Sequence, residues 1–257
     1  MTEESEVIKK FIAHLAHHLA GWRAKVDLDF AQESFDIELS ALTSDPVYSK
    51  FHLATADYIF IRLMGRMSVS IGRRLGELYD KIPRLAAQAR YGLTRDKVVL
   101  KFDGLELDVG LTLSELKVED VEHLAEVCKR HLNIDIRRYS GIAIEIRYNF
   151  NPNDSARLRK DKHLANQLVH ADYFPLYLVF AENSPRLKDA VTSLQRASWT
   201  FLIGTKGLHF MADMVGFDIS QILDRPEISA EIQLRVDDFM SAIGNSYAYK
   251  KTRLSGI

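Results

Sequence analysis

Apolar positions near the start of the chain recur at helical spacing. Val7, Ile8, Phe11, Ile12, Leu15, Leu19 and Trp22 share one face, which predicts an amphipathic helix over 6–24. Residues 28–60 are mixed, with Asp45-Pro46 marking a turn or a helix start. The apolar stretch 53–67 predicts a buried helix. Another helix is predicted over 70–91, with Ser70 as its candidate cap and Ile71, Leu75, Leu78, Tyr79 and Ile82 as its apolar side. Pro83 is expected to end or kink it.

The period then changes. Val98 to Phe102 reads as a strand and Asp103-Gly104 as a tight turn. Leu105, Leu107, Val109 and Leu111 alternate with Glu106, Asp108 and Gly110, which predicts the second strand of a hairpin. Residues 118–132 return to helix, with Val121, Leu124, Ala125 and Cys128 at helical spacing. In 142–148, Ile142, Ile144 and Ile146 alternate with Ala143, Glu145 and Arg147. A polar loop from Asn149 ends at Asp154 or Ser155, either of which can cap a helix over 156–171. Leu176 to Phe180 predicts a fully buried strand. A helix from Pro185 to Ala197, a strand from Trp199 to Gly204, and helices near 205–215 and 228–244 complete the order. The basic tip Tyr249-Lys250-Lys251-Thr252-Arg253 is expected to be mobile.

This order predicts an α/β chain, a mixed central sheet flanked by helices with an N-terminal helical region. The expected divisions are 1–65 for the helical region, 66–223 for the core and 224–257 for a helical tail. No apolar run reaches the length that spans a bilayer, and the acidic start Met1 to Glu6 lacks the features of a signal peptide. Cys128 is the only cysteine, which excludes an internal disulfide and a multi-cysteine zinc site. It is expected to be a small core residue. These features point to a cytoplasmic chain with no membrane partner. The net charge of -1 argues against coating nucleic acid with the whole surface, but it leaves room for a basic cleft beside acidic groups.

The candidate chemistry sits on the strand 142–148. Glu145 and Arg147 lie two residues apart on one face of a segment otherwise rich in isoleucine. The preceding hairpin strand carries Glu106 and Asp108 on one face. If the two strands are neighbours, Asp108 and Glu145 converge, and two carboxylates suit Mg²⁺, a hard ion that prefers oxygen ligands. On pattern alone an acid-x-base triplet is more often a solvated sheet face. His14, His17 and His18 form a helical cluster that reads as a surface feature, lacking the glutamate of a zinc-protease helix. Ser70 to Gly76 has two glycines but no phosphate-loop lysine.

With these residues in place, the chain resembles the restriction-endonuclease-like nucleases, whose motif is an Asp on one strand and (Asp or Glu)-x-Lys on the next. Ile144-Glu145-Ile146-Arg147-Tyr148, the Asn-Asp-Ser loop, Tyr173-Phe174-Pro175-Leu176 and Trp199 before Gly204 are similar, in that order, to type II restriction enzymes, the ApaLI-like group among them. The likeness covers roughly 66–223. It implies a Mg²⁺-dependent endonuclease that cuts double-stranded DNA at a specific site. It implies Asp108 as the first acid and Glu145 as the second, both metal ligands, with Asp135 as a nearer substitute for the first. Arg147 falls where the family has lysine, and arginine is bulkier and stays protonated. That departure leaves open a weakened or inactive DNA-binding protein on the same fold. Gly72 to Glu77 resembles the helix preceding the core in this superfamily, which implies Glu77 as a helper of the metal site. Arg157, Arg159, Lys160 and Lys162, together with Asn149, Asn151 and Asn153, are candidate DNA contacts, with a solvated helix face and an ordinary polar turn as the alternative. Arg137 and Arg138 add to the basic surroundings. Specific cleavage favours a homodimer, because a two-fold protein mirrors a palindromic site.

Overall fold

A computed structural model describes residues 3–147, 155–182 and 187–255. The architecture is α/β, as the change of period predicts. Helices α1 (Glu3–Asp29), α2 (Gln32–Ser44), α3 (Pro46–Lys50), α4 (Ala56–Tyr79), α5 (Lys81–Tyr91) and α6 (Arg95–Val98) come first. The strands β1 (Lys101–Phe102), β2 (Leu105–Glu106) and β3 (Val109–Thr112) follow, then α7 (Val118–Leu132) and β4 (Gly141–Arg147). From there helix and strand alternate: α8 (Ser155–His170), β5 (Tyr173–Val179), α9 (Leu187–Gln195), β6 (Thr200–Ile203) and α10 (Thr205–Val215). Helices α11 (Pro226–Asn245) and α12 (Tyr247–Ser255) end the described chain. No described helix is long and apolar enough to cross a membrane.

The chain divides into two compact units, Met1–Phe11 with Tyr79–Leu223, and Ile12–Leu78 with Asp224–Ile257. The second unit is helical. Leu15, Leu19, Trp22 and Val26 are buried along α1, Phe30 just after it, and Ile59, Leu63 and Met67 along α4. Ring contacts tie it together, Trp22 to Phe239 at 5.8 Å and Phe35 to Tyr247 at 5.5 Å. The basic tip, expected to be mobile, is helix α12, with Lys251 and Arg253 over the rings of Tyr247 and Tyr249.

The first unit holds a four-stranded sheet in the order β3-β4-β5-β6. β3 runs antiparallel to β4, whereas β4, β5 and β6 are mutually parallel, each step crossing through a helix. Ala143, Tyr177 and Val179 on one face pack with Leu164, Ala165 and Leu168 of α8 and Leu194 of α9. Strand alternation puts Glu145 and Arg147 on that same face. At the other end of β4, Gly141 lies so close to β3 that a Cβ there would collide with the Leu111 carbonyl oxygen.

The structure revises three expectations. First, the helix predicted over 70–91 is two helices. α4 runs through Ser70 without a cap there, and the chain breaks at Asp80. Pro83 then sits in the first turn of α5, where its missing N–H needs no intrahelical partner. Second, the predicted hairpin is a short ribbon: Arg95 to Val98 is a helical turn, and only Lys101–Phe102 and Leu105–Glu106 pair. Asp103 and Gly104 both take positive φ, as the tight turn requires. Third, the second predicted strand divides at Leu107–Asp108, and β3 leaves the ribbon to join the larger sheet. The two-residue spacing of Leu105, Leu107, Val109 and Leu111 runs unbroken across the division, although β3 is buried on both faces.

Candidate functional site

The β3–β4 register pairs Val109 with Ile144, so the next residue outward, Asp108, falls opposite Glu145. β4 continues past the end of β3, which leaves the Ile146 N–H without a strand to pair with. Asp108 supplies the acceptor: Ile146 N donates to its Oδ2 at 2.8 Å. Both acids are buried, Asp108 at 4% exposure and Glu145 at 1%.

Arg147 joins them. Its Nη2 donates to Glu145 Oε1, and its Nη1 lies 3.5 Å from Asp108 Oδ2 and 2.7 Å from the Ile146 carbonyl oxygen. Three oxygens from three residues thus surround one guanidinium. A lysine ammonium, a point charge, does not offer this planar fork.

Two further arginines complete the cluster. Arg84 on α5 donates to Asp108 Oδ1. Arg157, near the start of α8, donates from Nη2 to Glu145 Oε1 at 2.5 Å and from Nε to Asp161 Oδ1 at 3.1 Å. Asp161 is itself buried and held in place. Tyr177 Oη donates to its Oδ2 at 3.0 Å, and Trp199 Nε1 donates to its carbonyl at 2.8 Å. Tyr177 stands in register with Glu145 on the neighbouring strand.

Asp108, Glu145 and Asp161 are therefore matched in charge by Arg84, Arg147 and Arg157. One acceptor is left over: Glu145 Oε2 is buried and makes no hydrogen bond. Burial, reinforced by the Asp108 charge, pushes the Glu145 carboxyl well above the usual range, with Arg147 opposing. Burial works against the Arg147 charge, but Glu145 and then Tyr177 and Asp108 reverse this and keep the guanidinium firmly protonated.

The donor set suits a hard divalent cation. Asp108, Glu145 and the Ile146 carbonyl offer only oxygen, two of them charged, and Glu145 Oε2 still lacks a partner. Among the described residues no group of three or more His, Cys, Asp or Glu side chains gathers at metal-binding spacing. A cation here would rest on two carboxylates and the Ile146 carbonyl; Mg²⁺ commonly uses one or two carboxylates and fills its remaining positions with water and phosphate.

The other predicted site residues are scattered. Asp135, the substitute first acid, lies outside the cluster. It caps a 3₁₀ turn, accepting from Arg137 N at 3.2 Å and Nε at 2.8 Å. Arg137 also reaches Glu122 at 3.2 Å. Glu77 is exposed on α4 in the helical unit. Arg159 and Lys160 are exposed on α8 and Lys162 is half-buried, whereas Arg157 turns its guanidinium to the acids. Asn149, Asn151 and Asn153 lie outside the described residues. Cys128 is buried, with its thiol pushed up to about 12 by burial. His14, His17 and His18 stack loosely on α1, and His18 Nδ1 faces the Arg74 guanidinium at 3.5 Å, an unfavourable setting for a cation.

Sequence reasoning missed Arg84, Asp161 and Tyr177. The four-residue spacing of Arg157 and Asp161 on a predicted helix was a usable signal. Tyr177 is identified only by the parallel register, and Arg84 follows from no local pattern. The chain matches no family model, and comparison with curated proteins and with solved structures gives no match.

Proposed function

We propose that the chain is a Mg²⁺-dependent endonuclease of double-stranded DNA, of the type II restriction-endonuclease kind, working in the cytoplasm as a homodimer. The observation that carries this reading is the meeting of Asp108, at the entry to β3, and Glu145, on the adjacent antiparallel β4, around one cationic position, with the Ile146 carbonyl as third donor. Asp108, Glu145 and the Ile146 carbonyl would hold the ion. When bound, Mg²⁺ polarises a phosphate and lowers the pKa of an attacking water. Arg147, once displaced from the carboxylates, donates to a phosphate oxygen and stabilises the negative charge that builds there. Arg159 and Lys160 on the exposed side of α8, with Lys162, neutralise DNA phosphates and make binding salt-dependent.

A second reading, DNA binding without cleavage, draws on the completeness of the ion pairing: every acid of the cluster already has an arginine. Plasmid or phage DNA incubated with purified protein in Mg²⁺ or in EDTA separates the two. Discrete bands that require Mg²⁺, vanish in Glu145→Gln and persist or strengthen in Arg147→Lys are expected. Retarded but uncut DNA under all conditions favours the second reading. Cleavage unaffected by Glu145→Gln removes the site altogether.

A further inference from the structure

Helix α12 of the helical unit carries Lys250, Lys251 and Arg253 and no acidic residue, in a chain whose net charge is -1. All three cations are exposed. The helix is held from its first turn. Ser246 Oγ accepts from Tyr249 N at 3.2 Å, and Ala248 N donates to the Phe30 carbonyl at 3.2 Å. Ala248 is fully buried, Tyr247 meets the ring of Phe35 at 5.5 Å, and Tyr249 meets that of Phe60 at 5.8 Å. These apolar groups are spent on packing, and what the described part of the helix offers outward is charge. A helix that lies in a membrane surface needs an outward apolar face as well.

The tyrosines do a second thing. Each lies four residues before a cation, the spacing at which helical side chains meet. Lys251 Nζ sits over the Tyr247 ring at 5.3 Å and the Arg253 guanidinium over the Tyr249 ring at 5.1 Å. Three exposed arginines elsewhere lean on carboxylates: Arg23 on Asp27 and Asp238, Arg130 on Asp213, and Arg137 on Asp135 and Glu122. A carboxylate cancels the charge and takes up N–H donors. A ring steadies the side chain and keeps its charge, which lowers the ordering cost when an anion arrives.

We propose that α12 is a second DNA-contact surface, on which Lys250, Lys251 and Arg253 bind the phosphate backbone of a duplex without reading its sequence. This rests on the nuclease reading and adds a source of affinity separate from the residues around the metal site. Each cation that neutralises a phosphate releases counterions, so each contact steepens the salt dependence of binding. Cations near a helix C-terminus also stabilise the helix itself, which makes the salt dependence, rather than stability, the deciding measurement.

Fluorescence anisotropy of a labelled mixed-sequence duplex, titrated with the full chain in EDTA across a NaCl series, tests this. Replacing all three cations, Lys250→Gln with Lys251→Gln and Arg253→Gln, is expected to lower the slope of log affinity against log salt by about 3. The loss should be equal for a duplex of unrelated sequence. Lys250→Gln alone is expected to lower the slope by about 1, so the test does not depend on the triple variant folding. The charge-keeping set, Lys250→Arg with Lys251→Arg and Arg253→Lys, should retain the wild-type slope. A wild-type slope in both glutamine variants overturns the α12 surface and leaves the nuclease reading intact. Capture of the wild type by vesicles of equal parts phosphatidylcholine and phosphatidylserine, lost in the triple variant while its duplex binding is unchanged, assigns the helix to lipid and also overturns it. No duplex binding by the wild type, in EDTA or in Mg²⁺, sinks both proposals together.

Discussion

Two triplets of nearly the same spelling flank Gly141: Asp135-Ile136-Arg137 before it and Glu145-Ile146-Arg147 after it. In both the isoleucine is buried and the acid bonds the arginine two residues on. The first lies on a surface 3₁₀ turn, where the acid caps the turn and its arginine also reaches the exposed Glu122. The second lies on an interior strand, where acid and arginine share a face and point at whatever the next strand and helix carry. Asp108, Arg157 and, beyond them, Arg84 and Asp161 are drawn in. The two acids also titrate in opposite directions. Asp135 falls below the usual range because Arg137 bonds it, whereas Glu145 rises because it is buried. Residue types and spacing name the groups, and the backbone beneath them decides whether they form a cap or a site.

The sharpest way to break this comparison is Glu145→Ala. It removes the Glu145 partner of the buried Arg147, so a loss of about 3 kcal/mol in urea unfolding is expected together with loss of cleavage. A loss no larger than that of a surface substitution would put the two triplets on the same footing.

A smaller effect separates them by pH. Between the ordinary glutamate value of 4.5 and its raised folded value, Glu145 holds a proton in the folded chain and has lost it in the unfolded chain. Its contribution is therefore complete below 4.5 and is lost as pH rises through that window. For Asp135 the sign reverses: its contribution is present above the ordinary 3.8 and is lost as pH falls through the lowered value. Denaturation across a pH series should lose its decline above pH 4.5 in Glu145→Gln and only its acid-side decline in Asp135→Asn. Matching slopes in the two variants would contradict the difference in burial.

The smallest effect is expected from Asp135→Ala. It removes a cap and an exposed ion pair, so cleavage should be unchanged and the unfolding midpoint should move less than in Glu145→Ala. A cleavage defect in a folded Asp135→Ala protein would make Asp135 the first acid after all.

Much of this was legible in the order of residues. The alternation from Ile142 to Arg147 gave both the strand and the face on which its charges lie, and the helical spacing around Cys128 gave α7 within its observed bounds. The neighbouring of Asp108 and Glu145 followed once two strands were recognised. Arg84 stayed hidden because its partner lies across a chain reversal that no periodicity reports. The division at Leu107–Asp108 stayed hidden because the apolar residues keep their two-residue spacing through it, although the strand partner changes. Reading 70–91 as one helix failed because Pro83 marks a first turn as readily as an interruption.

Gly141 carries a consequence for how such a chain can vary. With no side chain there, β3 and β4 lie close at the end of the pair remote from the charges. The gap between the two carboxylates is thus gauged several residues away, at a position with no chemistry of its own. A methyl group at 141 would wedge the ladder open from its far rung and spread the acids apart, although every charged residue would remain unaltered.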